Sequence, residues 1–443
     1  MSDLTAETTE LLQQMIRNGC VNDGTPGSGQ EVRNADVLES FLDGAGLDMQ
    51  RFEAVSGRPS LVARMEGTEP DAPSLMLMGH TDVVPVNPDG WTRDPFGGEL
   101  VDGEVWGRGA VDMLNLTASM AVAIRELAHS GFKPKGTLIY LAVPDEEAAG
   151  TYGAKWLVDN EPDAVRCDYV LTEMGGFRFA GQGTPKVPVM VAEKGTYWCK
   201  IRVKGTPGHA SMPFRTDNAL VKAAEIVQRL ASFQPEPVIH ETWRRFVEQM
   251  GFPPEMKESL LDPAKVRAVA GELPDLGMAR MIHACTHTTF APTVLHGGVK
   301  GNVIPDSVEM QVDIRTLPGQ TAEDVHAMLR EALGEYYDMI EIDPTSAMEA
   351  SASPVDSPLW DTLTSHTRRL SGAETVPFII VGATDARFFR KVGATCYGYG
   401  LFSERISFGQ FASMFHGDDE RVDTESLGLT TELWGSVVHD FLG

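Results

Sequence analysis

The sequence predicts an α/β protein whose functional site is assembled from loops at one edge of a sheet, with a second, α+β segment inserted into the first. Two observations carry this. Three short apolar runs each stop at an acid-bearing turn, with a helix-forming stretch between the first two. Beyond Glu193 the pattern changes to alternating strands and amphipathic helices.

In chain order, residues 5–17 carry Leu11, Leu12 and Ile16 at helical spacing. Residues 74–78 form a buried strand that ends in GHTD and so delivers His80. Residues 116–128 are rich in helix formers, and the β-branched and aromatic run 137–143 stops at PDEE. Residues 168–171 repeat the pattern before TEMGG. In the insert, residues 198–203 and 307–314 alternate as strands, 218–230 and 321–333 read as helices, and a further strand lies near 340–342. Such a pattern predicts antiparallel strands covered by helices on one face. The apolar run 376–381, the turn GATDAR and a closing helix over 425–441 return the chain to the first domain. The division is therefore residues 1–192 and 349–443 for one domain and 193–348 for the insert.

The chain has 443 residues, 42% of them hydrophobic, enough for a sizeable core and for two domains or one domain carrying a large insertion. A formal charge of −26 disfavours binding to nucleic acid or to an anionic membrane, and is otherwise a solvated, solubilising surface. The first residues show no basic flank followed by an apolar run, so a cytoplasmic protein is expected. Cys20, Cys167, Cys199, Cys285 and Cys396 are odd in number and scattered, which fits free, packed thiols. There is no internal repeat, no G-x-S-x-G, no phosphate-binding GK[ST] and no complete G-x-G-x-x-G.

Imidazole and carboxylate groups at strand ends and in glycine-rich turns are the ligand types that zinc takes. The candidates are His80, Asp112, Glu147, Glu173 and His416. In GHTDVVP, Asp82 is placed to fix the His80 ring. In GRGAVDM, Asp112 sits in a turn where a carboxylate could bridge two cations about 3.5–4 Å apart. The adjacent Glu146 and Glu147 repel each other, so their pairing suggests a division of labour: one on metal, one taking a proton from water. Taken singly, each of these residues also fits ordinary structure, as a helix cap or a solvated acid.

Together GHTDVVP, GRGAVDM, PDEEAAG, TEMGG, GTPGHAS, HGGVKGNVIPD, DIRTLPG, GATDAR and FHGDDERV cover nearly the whole chain. In order and spacing the set resembles the zinc metallopeptidase family of aminoacylase, carboxypeptidase G, acetylornithine deacetylase and succinyl-diaminopimelate desuccinylase. The resemblance implies a mixed-sheet zinc-peptidase catalytic domain with an inserted α+β, ferredoxin-like lid and dimerisation domain. It implies two divalent ions, zinc first, with cobalt or manganese as substitutes. Asp112 would bridge them, His80 and Glu173 would complete one site, and Glu147 and His416 the other. Glu146 would be the general base and Asp82 would orient His80. His209, on the insert, would stabilise the oxyanion, in many relatives from the partner subunit of a homodimer. Asn302 and Arg315 would hold substrate, Arg315 through its planar fork on a carboxylate, and Thr384 and Asp385, in the matching GATDAR turn, would also face it.

The chain departs from many relatives at Leu114 and Asn115, where they carry a lysine two residues after the bridging aspartate. The function expected is metal-dependent hydrolysis of an amide in an N-acyl amino acid or short peptide with a free carboxylate. The alternative is a noncatalytic binding or assembly module, which would show eroded ligands, and none is eroded. Trp198, Trp243 and Phe246 read as core rather than pocket residues.

Overall fold

The computed structural model describes residues 3–179 and 183–443. Among these residues the main sheet has nine strands. At its centre the strands Leu138–Val143, Leu75–His80 and Tyr169–Thr172 lie side by side and parallel, so all three end at one edge. His80 pairs in register with Val143, which sets the GHTD and PDEE turns next to each other. The flanking pairs Asp48–Glu53 with Pro59–Met65, and Pro59–Met65 with Leu138–Val143, are antiparallel, making the sheet mixed.

Leu75–His80 and Leu138–Val143 are buried along their whole length because both faces of the sheet are covered. Leu75 and Leu77 face one apolar core, Met76 and Met78 the other. On the first face, helix Leu114–His129 packs against the helices Asp3–Asn18 and Thr424–Leu442, which also touch each other. Gly79 permits that approach: a Cβ there would lie 2.3 Å from Thr117 Oγ1, whose hydroxyl donates to the His80 carbonyl at 2.8 Å.

A second, four-stranded antiparallel sheet is ordered Thr289–Gly297, Ser307–Thr316, Gly195–Lys204, Ile340–Met348. Tyr197, Cys199, Ile201 and Val203 point into a separate core under the helices Ala219–Ser232 and Ala322–Leu333. On the open face Arg202 pairs with Glu309 at 3.0 Å and Glu341 at 3.5 Å. The short helices Glu241–Gln249, Pro254–Leu261, Val266–Glu272 and Leu276–Thr286 lie between these strands in sequence. Their apolar residues nevertheless join the core of the main sheet, with Phe246 and Phe378 ring centroids 4.7 Å apart. Trp243 and Phe246 are buried as expected, whereas Trp198 is 40% exposed. The alternation that marked its strand placed Trp198 on the sheet's open face.

All five cysteines are free, and burial pushes the thiols of Cys20, Cys199, Cys285 and Cys396 up to about 12. No helix among the described residues is long and apolar enough to cross a membrane.

Candidate metal centre

His80 closes its strand almost fully buried, with Nδ1 3.0 Å from the Asp82 carbonyl. When Nδ1 donates there, Nε2 presents its lone pair to the acids, 3.3 Å from Asp112 Oδ1 and 3.7 Å from Glu173 Oε2. The orienting group is thus the Asp82 main chain, with the carboxylate farther off at 3.6 Å. That carboxylate instead accepts the Glu146 and Glu147 amides at 3.3 and 3.1 Å and Asn22 Nδ2 at 2.8 Å. It ties the paired glutamates to the histidine strand.

Asp112 lies just before helix Leu114–His129, in a loop organised by one buried carboxylate. Glu420 accepts the amides of Gly109, Val111 and Asp112 at 3.0, 2.7 and 3.1 Å, and pairs with Arg108 at 2.8 Å. Asp112 then points one oxygen at each histidine: Oδ1 toward His80, and Oδ2 toward His416 Nε2 at 3.1 Å. His416 Nε2 is also 3.1 Å from Glu147 Oε2. The His416 backbone has φ +56°, and its half-exposed ring stacks on Phe415 at 4.9 Å. Asn115 is buried, with Oδ1 unpartnered among the described residues.

Two three-residue sets therefore share Asp112: His80, Asp112 and Glu173, and Asp112, Glu147 and His416. Ligand atoms about 2.1 Å from a tetrahedral zinc lie about 3.4 Å from one another, and the four histidine–carboxylate separations here run from 3.1 to 3.7 Å. The residues fit a pair of divalent ions on electrostatic grounds as well. Burial, then the Asp112 charge, pushes the Glu147 carboxyl up to about 8, and Glu147 Oε1 is buried without a partner among the described residues. Burial and the Glu173 charge hold Glu146 well above the usual carboxylate range. Hydrogen bonds donated by its ring to Asp112 and Glu147 lift His416 to about 10. At Asp112 burial acts upward, but His416 and His80 outweigh it and hold the carboxyl low. So many acids in one desolvated space repel one another unless cations enter.

Glu146 lines the same cavity, and its carboxylate makes no hydrogen bond among the described residues, leaving it open to a water or substrate proton. Behind it lies a network with no sequence signature. Arg58 is clamped on Glu31 at 2.5 and 2.9 Å and reaches Asp145 at 3.1 Å, while Asn22 contacts Asp82 and, at 3.4 Å, Asp145. These residues are scattered through the first third of the chain. Only their burial, invisible in sequence, marks them.

The cavity has a volume of about 610 Å³. Arg315 and Thr384 line it, as does Trp198. The Arg315 fork is held by Asp313 at 2.8 and 3.1 Å, and the Thr384 amide donates to Glu193 at 2.6 Å. Asp385 is not part of the wall: both carboxylate oxygens are buried without a partner among the described residues, and burial pushes it up to about 7. His209 and Asn302 also stand outside it. They meet on an exposed ribbon of the insert, where Gly208–His209 pairs with Val303–Ile304 and the Asn302 carbonyl accepts from Ala210 at 3.0 Å. His209 Nδ1 is 2.7 Å from Ser211 Oγ.

The profile of peptidase family M20/M25/M40 matches residues 76–440. N-fatty-acyl-amino acid synthase/hydrolase PM20D1 of Xenopus tropicalis is 26% identical over 401 residues, 87% of this chain and 76% of that protein. Aminoacylase-1 of Mus musculus is 26% identical over 367 residues, covering 82% and 80%. In fold, the chain is similar to the M20 family metallo-carboxypeptidase Sso-CP2 of Sulfolobus solfataricus, with a TM-score of 0.74 at 17% identity, covering 100% of this chain and 99% of that one.

Proposed function

The chain belongs to peptidase family M20/M25/M40 and is a hydrolase of that family, and we propose that it cleaves the amide bond of an N-acyl amino acid or a short peptide with a free carboxylate. The observation that carries this is the pair of ligand sets sharing Asp112, with the unpartnered Glu146 carboxylate in the same cavity. His80 and Glu173 would hold one divalent ion, Glu147 and His416 the other, with zinc the first choice for this nitrogen and oxygen donor set. Bound there, the ions would supply Lewis acidity and make water a better acid. Glu146 accepts the water proton and returns a proton to the departing nitrogen. Asp82 fixes the glutamate loop and the His80 ring.

His209 and Asn302 act in this reading from the insert, residues 193–348, which serves as lid and dimerisation domain. Met212, Phe214 and Val299 flank their ribbon at 70%, 82% and 94% exposure. Such apolar exposure supports a second copy of the chain as its cover, with His209 reaching the partner's cavity. Arg315, already charge-paired, would contribute its outer edge to the substrate carboxylate.

Metal content per chain, measured by elemental mass spectrometry on protein purified without chelator, tests the reading. Near two zinc or related divalent ions are expected, and Asp112→Ala should lose both. Absence of metal, with none taken up on adding zinc or cobalt, would overturn it.

A further inference from the structure

Glu146 has no side-chain partner to aim it. Its carboxylate makes no hydrogen bond among the described residues, so its direction follows from the main chain that carries it. Asp145, the residue before it, has φ +74° and ψ 8°. That is left-handed backbone, which a non-glycine residue keeps only where its surroundings hold it there.

The hold comes through the Asp145 carboxylate. Oδ2 accepts the Tyr152 amide at 2.9 Å, tying the far end of the loop back to its start, and the Asp145 carbonyl accepts from Gly150 at 2.6 Å. Oδ1 meets Arg58 Nη1 at 3.1 Å and Asn22 Nδ2 at 3.4 Å. Arg58 is itself fixed, with Nε and Nη2 on the two oxygens of a fully buried Glu31 at 2.9 and 2.5 Å. One edge of the guanidinium thus serves Glu31 and the remaining nitrogen Asp145, a division that the planar fork allows and a lysine ammonium does not. Asn22 Nδ2 also donates to Asp82 at 2.8 Å, whose oxygens accept the Glu146 and Glu147 amides. Desolvating two acids around one guanidinium is weak evidence for stability. Here it supplies a fixed point one residue from the base.

Resting on the reading of Glu146 as general base, we propose that Arg58 is a positioning residue for it. Acting through Asp145, Arg58 holds the backbone that aims the Glu146 carboxylate into the cavity, and Asn22 couples that hold to Asp82. Arg58 is 1% exposed and does not line the cavity, so its loss removes no contact to substrate and falls on turnover alone.

A double-mutant cycle on the full chain at saturating zinc, with metal content measured on every sample, tests the role. Arg58→Lys should lower kcat about 10²-fold, the loss that a displacement of about 1 Å at a reacting group produces, with KM unchanged. Asn22→Leu removes no charge and takes its place if the Arg58 variant does not fold, with a fall in kcat at unchanged KM again expected. In the Glu146→Gln background the same substitution should change the residual kcat by less than about twofold, because the group it aims is already gone. Its effect on the denaturation midpoint should be equal in both backgrounds, so a merely structural role is read separately. Equal kcat losses in the two backgrounds, or an Arg58→Lys enzyme with the parent's kcat, overturn the proposal and leave Glu146 as the base. Near-normal turnover of Glu146→Gln, or no amide turnover by the parent, overturns the base reading and the positioning role with it.

Discussion

Glu146 and Glu147 are neighbours in sequence with opposite surroundings. Glu147 faces His416 across 3.1 Å, whereas the Glu146 carboxylate has no hydrogen-bond partner among the described residues. On the proposed reading that difference separates ligand from base, so Glu146→Gln should keep its metal while kcat falls about 10²–10⁴-fold. Elemental analysis and turnover on one sample decide it, and near-normal turnover would remove Glu146 from the role. Glu420 acts on the centre at one remove. Glu420→Ala would leave Arg108 buried and unpaired and orphan three backbone amides, at a cost of about 3–5 kcal/mol. Chemical denaturation should show that loss, and metal retention should drop because the Asp112 loop is no longer held. A change below about 1 kcal/mol would show that the loop keeps its shape without this carboxylate.

At the scale of elements, the junction between the two sheets has its own titratable anchor. Lys194 stands between the strands Lys186–Glu193 and Gly195–Lys204 and donates to the carbonyls of Ala284 and His287 at 2.9 and 2.7 Å. Burial lowers its ammonium to about 7. Between pH 7 and about 10.4 the unfolded chain therefore binds more protons at this site, and stability rises with pH through that window. The contribution is at most about 1.4 kcal/mol per pH unit. Denaturation midpoints compared with Lys194→Met should show this slope in the parent and its loss in the variant; parallel profiles would refute the assignment.

The central strands were legible because complete burial on both faces demands unbroken apolar runs. The helices over residues 241–286 were not. Pro253, Pro254, Pro263 and Pro274 cut them into pieces of 7 to 11 residues, too short to display a helical period.

Across the whole molecule, His209 stands outside the cavity wall of its own chain. If a second copy closes the site, mixing Glu146→Gln with His209→Ala chains under subunit exchange should restore activity, since heterodimers contain one site with both residues intact. No recovery despite demonstrated heterodimers would assign His209 to its own subunit or to no catalytic part.

By itself the sequence determined the α/β class, the motif order and the candidate ligands His80, Asp112, Glu147, Glu173 and His416, because each sits in a short motif whose turn chemistry and residue types are local properties. Only the tertiary structure decided what lies behind and around them. Arg58, Glu31, Asn22 and Glu420 matter through burial and mutual pairing across 27 to 312 positions of sequence, a separation that no local pattern records. The same holds for Trp198 and Phe378, which become parts of one cavity only where helices from distant parts of the chain meet the ends of the sheet.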